Sequence, residues 1–279
     1  MKTFFKVWLG IALIAIGFGI AILILATANG VSWRNNVKTY SINESYEGVR
    51  SLDFDIGYGE VNIEEGSTFS IDAENMVSDG FESYVSGGTW YIREKYDSMV
   101  DIFGWKFSLK QIIHWGDYSP DITITIPRDF VAESFILDIG AGEVDADEIH
   151  AVDGAFSVDA GRLKIDRLTV NERSTYNVGT GEMILNDIAV NDITVECGIG
   201  NVDIYGTITG DNEITCGIGR IKLDLTGDED DYSYRISAGI GNVVIDNRSY
   251  HSIDKSINND SDNNLKLDCG IGNITVEFN

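Results

Sequence analysis

Residues 193–204, ITVECGIGNVDI, decide how this chain folds. Ile193, Val195, Cys197 and Ile199 alternate with Thr194, Glu196 and Gly198, the two-residue period of a half-buried strand. After Gly200-Asn201 the alternation resumes one residue out of step, with Val202 and Ile204 on either side of Asp203. A chain that turns a corner at Gly-x-Gly and goes on facing the same interior produces that offset. Glycine suits the corner because it accepts positive φ and lets backbones approach without a Cβ.

The same phrase returns along the chain. Glycine pairs stand at Gly57 and Gly59, Gly140 and Gly142, Gly179 and Gly181, Gly198 and Gly200, Gly217 and Gly219, Gly239 and Gly241, and Gly270 and Gly272; an eighth copy, VDAGRLKI, keeps only Gly161. From Gly142 onward the second glycine recurs at steps of 19, 20, 19, 19, 22 and 31 residues. A unit that short cannot bury its apolar face alone, whereas copies stacked in register about 4.8 Å apart bury a continuous core. The expected fold is therefore all-β, a parallel β-solenoid with about 19-residue rungs over residues 131–279. An antiparallel β-sandwich is the alternative, but it has no need to restore the same residue class at a fixed period.

The position before the first glycine reads Ile56, Ile139, Val158, Val178, Cys197, Cys216, Ala238 and Cys269. Cysteine there behaves as a small hydrophobe, so this column is expected to be a core ladder of free thiols and aliphatics. Cys197 and Cys216 fall one rung apart with parallel Cβ vectors, which is poor bridging geometry, and Cys269 is expected two rungs from Cys216. Residues 35–130 are strand-rich but less regular, an N-terminal part or cap with a hairpin candidate at Gly87-Gly88. Within it, the aromatic insertion 97–120 carries Phe103, Trp105, Phe107 and Trp115, either a cover for the first rung or a partner surface. The segment from Asp246 to Asn264, rich in Asn, Asp and Ser, is expected to fold over the other end of the stack.

Lys2 and Lys6 precede Val7 to Ala28, 22 residues without a charge. As a helix this run is about 33 Å long, enough to cross a bilayer core. Residues 1–30 are therefore expected to be an N-terminal transmembrane anchor, with a cleaved signal peptide ending near Ala26-Thr27-Ala28 as the alternative. The lysines would keep the N-terminus inside, giving a single-pass protein of the cytoplasmic membrane with its C-terminal part extracytoplasmic. With 45 Asp+Glu against 20 Lys+Arg and a net charge of −25, the surface repels nucleic acid. The partners this reading admits are the membrane, through the N-terminal helix, and an envelope protein or glycan.

Chemistry finds little footing. A phosphate loop needs a helix after the glycines, and no copy continues into a helical pattern. Calcium-binding glycine repeats place an oxygen ligand where this chain puts Ile63, Ala146, Ile165, Leu185, Ile204, Leu223, Ile245 and Val276. Asp228, Glu229, Asp230 and Asp231 remain a weak candidate for Ca²⁺. His114, His150 and His251 lie in separate segments without a hydrolase motif. The expectation is no cofactor and no enzymatic activity.

The phrase GYGEVNIEEG, the run DITITIPRDF from Asp121 to Phe130, and the serial x-x-G-x-G-x-[VI]-x-[IV] copies resemble the bacterial putative-adhesin β-strand-repeat family over Val37 to Asn279. The resemblance implies a repeat architecture without catalytic residues. The function expected from it is a non-enzymatic, adhesin-like binding or scaffold protein of the cell envelope. An accessory role in envelope-stress signalling is the alternative, with Ala15-x-x-x-Gly19 permitting helix pairing. A polysaccharide-acting enzyme is a third.

Overall fold

The computed structural model describes residues 39–77, 81–94, 99–102, 105–108 and 120–279. Thr39–Asn279 forms one compact unit around a single apolar core. Twenty strands join one sheet; Met99–Ile102 and Trp105–Ser108 pair separately as a two-stranded sheet.

The middle of the large sheet follows the glycine period. Ile193–Cys197 lies parallel to Ser174–Val178 and to Asp211–Cys216 in unbroken register, Val178 beside Cys197 and Cys197 beside Cys216. Beyond the corner, Asn201–Thr209 lies parallel to Glu182–Asn191 and to Arg220–Leu225. The hydrogen-bond ladder crosses the corner itself: Ile199 N–H donates to the Gly179 carbonyl and Ile218 N–H to the Gly198 carbonyl, both at 2.8 Å. Alternation decides what is buried. Val195, Val202 and Ile204 are sealed from solvent, and each such side chain contributes about 1.5–3 kcal/mol.

Close approach, more than torsion, explains the corner glycines. Only Gly59 among them has positive φ, at 116°. A Cβ on Gly219 would run into the Gly200 carbonyl oxygen and stand 2.9 Å from the Cys197 sulfur. The second glycine thus makes room for the backbone and the inward side chain of the layer beneath.

The ends depart from expectation. The last copy in the sequence is not the last layer. Cys269 pairs directly with Cys216, and Ala238 lies outside it against Cys269. Asn263–Cys269 and Asn273–Phe278 are inserted between the preceding copies, so the three cysteines occupy consecutive layers rather than leaving a gap after Cys216. Tyr232–Ile245 is the outer layer, and Arg248–Ile257 runs antiparallel along it, covering its edge. The other end is closed in the same manner. Thr89–Glu94 and Asp121–Pro127 pair parallel with Ser51–Ile56 and Glu60–Gly66. Antiparallel strands then follow: Phe81–Ser86 on Thr89–Glu94, through a turn at Gly87-Gly88, and Phe69–Val77 on Asp121–Pro127, with Thr39–Tyr46 outermost. An exposed parallel edge would offer unpaired backbone groups, and these antiparallel strands take them up.

The expectation of a parallel β-solenoid preceded by a transmembrane helix is accordingly corrected. The sheet is a mixed ring of strands, parallel in its middle and antiparallel at both ends. The single-pass, extracytoplasmic placement is corrected with it: no helix among the described residues is long and apolar enough to cross a membrane. Residues 1–30, on which that placement rested, lie outside the described residues.

Candidate functional site

Eight corners stack along one edge. Corner-to-corner hydrogen bonds and strand register give the order Tyr58, Ala141, Ala160, Thr180, Ile199, Ile218, Ile271, Ile240 for the residue between the glycine positions. In the last four layers that residue is isoleucine, and it points outward. Ile199 is 60%, Ile218 57%, Ile271 59% and Ile240 83% exposed. The strand alternation had placed Ile199 in the inward set with Cys197. The corner reverses it, because Gly198 and Gly200 flank a residue at the apex of the bend, which faces away from the core. Isoleucine at an apex leaves more than half of its surface in water, so the core does not explain four in a row. They form an apolar ridge whose teeth are about 4.8 Å apart, the spacing of neighbouring strands.

The layer interior changes at the same point. The inward residue before the corner is Ile56, Ile139, Val158 or Val178 in the first four layers and Cys197, Cys216, Cys269 or Ala238 in the last four, all buried. All three cysteines are free thiols. The Cys197 and Cys216 thiols donate to the carbonyls of Gly200 and Gly219, both at 3.1 Å. The neighbouring Cys197 thiol, together with burial, pushes the Cys216 thiol up, and burial does the same to Cys269. The hydrogen bond from Cys216 pulls the Cys197 thiol down instead, but all three sulfurs are enclosed, and buried cysteines without access are inert. Along the ridge, Glu196 and Asp268 are exposed on one side; Arg220, on the other, is paired with Asp203 at 2.8 Å.

A cleft of about 290 Å³ lies elsewhere, lined by Leu52, Phe130, Phe135 and Ile149 together with Glu65, Arg128, Glu148 and His150. Its charges answer one another. Arg128 pairs with Glu65 at 3.4 Å, and Glu148 pairs with His150 at 3.0 Å and with Arg167 at 2.6 Å. The Arg167 guanidinium holds the Glu148 carboxyl below the usual carboxylate range. A general acid or base needs a pKa near the working pH, and this carboxylate is shifted away from it.

The other sequence candidates separate. Glu229–Asp231 form a 3₁₀ turn in which the Asp231 carboxylate accepts the Asp228 N–H at 2.9 Å and Glu229 pairs with Arg248. Among the described residues no three His, Cys, Asp or Glu side chains group as metal ligands would. Trp105 and Phe107 stand on the two-stranded sheet opposite Ile102 and Val100; Phe103 and Trp115 lie outside the described residues. The isoleucine column was visible in Cys-Gly-Ile-Gly, which occurs three times, and in Ala238-Gly239-Ile240-Gly241. Four apolar residues at the apex of a tight corner, where polar residues are the rule, were the available signal.

No family model matches the chain, and no curated protein does either. Membership of the repeat family is therefore not shown. Solved structures are similar at low identity. A "putative lipid binding protein" from Parabacteroides distasonis is 13% identical with a TM-score of 0.45, over 87% of this chain and 97% of that one. A "putative adhesin" from Bacteroides fragilis is 12% identical with a TM-score of 0.39, over the same shares. A "putative cell adhesion protein" from Clostridium sporogenes is 14% identical with a TM-score of 0.31, over 87% of this chain and all of that one. At these scores the likeness carries no argument about what this chain does.

Proposed function

We propose that the protein is a non-enzymatic, adhesin-like binding scaffold whose contact surface is the corner edge. The observation that carries this reading is the ridge of Ile199, Ile218, Ile271 and Ile240, apolar bulk displayed outward on a hydrogen-bonded frame. Exposed apolar residues set in a contiguous row on an otherwise acidic chain mark an interaction site. The frame supplies rigidity, so little ordering cost attends binding. In the cleft, by contrast, the charged groups neutralise one another and leave no convergent donor set for a substrate.

The test immobilises the full chain and a variant carrying Ile→Thr at all four ridge positions, and probes both with purified bacterial surface proteins, wall glycans and the chain itself. Saturable binding to the wild type, weakened at least about tenfold in the variant, is the expected result. Binding that is equal for both chains, or turnover of a glycan abolished by Glu148→Gln, would sink the reading.

A further inference from the structure

The corner edge is complementary to itself. In stacking order its outward residues fall into a half with Tyr58, Ala141, Ala160 and Thr180 and a half with four isoleucines. Ala141, Ala160 and Thr180 are exposed, and each leaves a shallow place on the edge where the other half carries a projecting side chain. A two-fold axis across the middle of the edge, between Thr180 and Ile199, lays one copy's isoleucines over the other copy's small residues. Ile199 then meets Thr180, Ile218 meets Ala160, Ile271 meets Ala141, and Ile240 meets Tyr58. Each contact occurs twice, as an isologous interface requires.

We infer that the partner of this edge is a second copy of the same chain, docked antiparallel, edge to edge. The inference rests on the proposed binding role and names its occupant. A two-fold axis along the stack is the competing geometry. It would set Ile218 against Ile218 and Ala160 against Ala160, crowding one half and leaving a gap in the other. The antiparallel arrangement instead sets an isoleucine against a small residue at Thr180, Ala160 and Ala141, and brings two large side chains together only at the ends, where Ile240 meets Tyr58.

Area sets the strength. Eight corners about 4.8 Å apart make an edge about 34 Å long, and a width of about 10 Å gives roughly 700 Å² over both partners. Stable interfaces bury about 1,200–2,000 Å², so this is a weak, reversible pairing that gains strength only when many copies are held together. Charge sets the salt dependence. Asp138 comes opposite Asp268 and Arg162 opposite Arg220, although Arg162 is neutralised by Glu143 and Glu182 and Arg220 by Asp203. Each copy also carries −25. Added salt therefore tightens the contact by screening repulsion, the reverse of an interface made by ion pairs.

Sedimentation equilibrium of the full chain over a range of concentrations tests this. The expected result is a monomer–dimer equilibrium that strengthens with salt and with Asp268→Asn, and weakens at least about tenfold in Ile218→Asp and equally in Ala160→Arg. All three positions are exposed, and an unchanged thermal melt verifies folding. Oxidative crosslinking fixes the direction: Ala160→Cys combined with Ile218→Cys yields a covalent dimer, while Ile218→Cys alone does not, its counterpart being three layers away. A covalent dimer from Ile218→Cys alone, or association indifferent to Ala160→Arg, overturns the inference. So does a chain that stays monomeric while its ridge captures a different purified protein or a glycan, an outcome that leaves the proposed binding role standing. A monomer that captures none of these through the ridge overturns both.

Discussion

The first four layers and the last four share one backbone and distribute bulk in opposite ways. In the first four, large side chains sit inside: Phe54, Phe156 and Tyr176 are fully buried, with Phe156 and Tyr176 stacked at 5.5 Å. Their corner residues are Tyr58 and then small ones. In the last four the matching interior column is Val195, Ile214, Leu267 and Ile236, the residue before the corner shrinks to cysteine or alanine, and isoleucine moves to the apex. Both interiors close, so the outward isoleucines are not needed to complete a core. The difference separates what the stack requires from what it displays.

The largest expected effect tests what is required. Gly219→Ala puts a methyl group against the Gly200 carbonyl and the Cys197 sulfur, neither of which can yield without breaking the strand register. A loss of about 4 kcal/mol or more is expected in chemical unfolding. At Gly142, in the other half, the new Cβ would stand 3.1 Å from the Gly59 carbonyl, and a clearly smaller loss is expected. Equal losses at the two sites would mean that conformational freedom, not close approach, selects the glycine.

A smaller effect is confined to the first half. Burial, and then the neighbouring Asp138, push the Asp55 carboxyl above its ordinary value. A carboxyl whose folded pKa exceeds its unfolded pKa of about 3.9 costs stability as pH rises through that window, and the cost persists above it. Asp55→Asn is therefore expected to raise the melting temperature at pH 7 and to leave it unchanged near pH 3, where both forms are neutral. An equal shift at both pH values would trace the gain to packing instead.

Much of this was legible in the letters. The 19- or 20-residue step fixed which residues share a column, because parallel in-register pairing brings equivalent positions together; Val178, Cys197 and Cys216 follow it. Neighbour order was not legible. A repeat specifies its register against any other copy equally well, so nothing in DCGIGNITV tells Cys269 to enter between Cys216 and Ala238 instead of stacking beyond Ala238. The segment from Asp246 to Asn264 decides it: Arg248–Ile257 turns back on Tyr232–Ile245 as an antiparallel strand, occupies the outer edge, and leaves the final copy to enter on the inner side. Antiparallel closure also escaped at the other end, where Thr39–Tyr46 and Phe69–Val77 lack the glycine period. At the site, strand alternation puts Ile199 on the inward face with Cys197, and alternation does not hold through a corner.

The smallest effect on stability is the most telling about the site. Ile214 and Ile218 belong to one layer, four residues apart, one fully buried and the other 57% exposed. Ile214→Thr removes apolar volume and places a hydroxyl in the core, which costs about 2–4 kcal/mol. Ile218→Thr changes only what meets solvent at the apex, and its effect on unfolding should lie within about 0.5 kcal/mol. The ordering reverses for binding to the ridge, where Ile218→Thr weakens the contact and Ile214→Thr, in the fraction that remains folded, does not. A residue that the fold can lose and the contact cannot is one displayed for a partner. If Ile218→Thr instead destabilised the chain as much as Ile214→Thr, the apex would belong to the core and the ridge would be no surface at all.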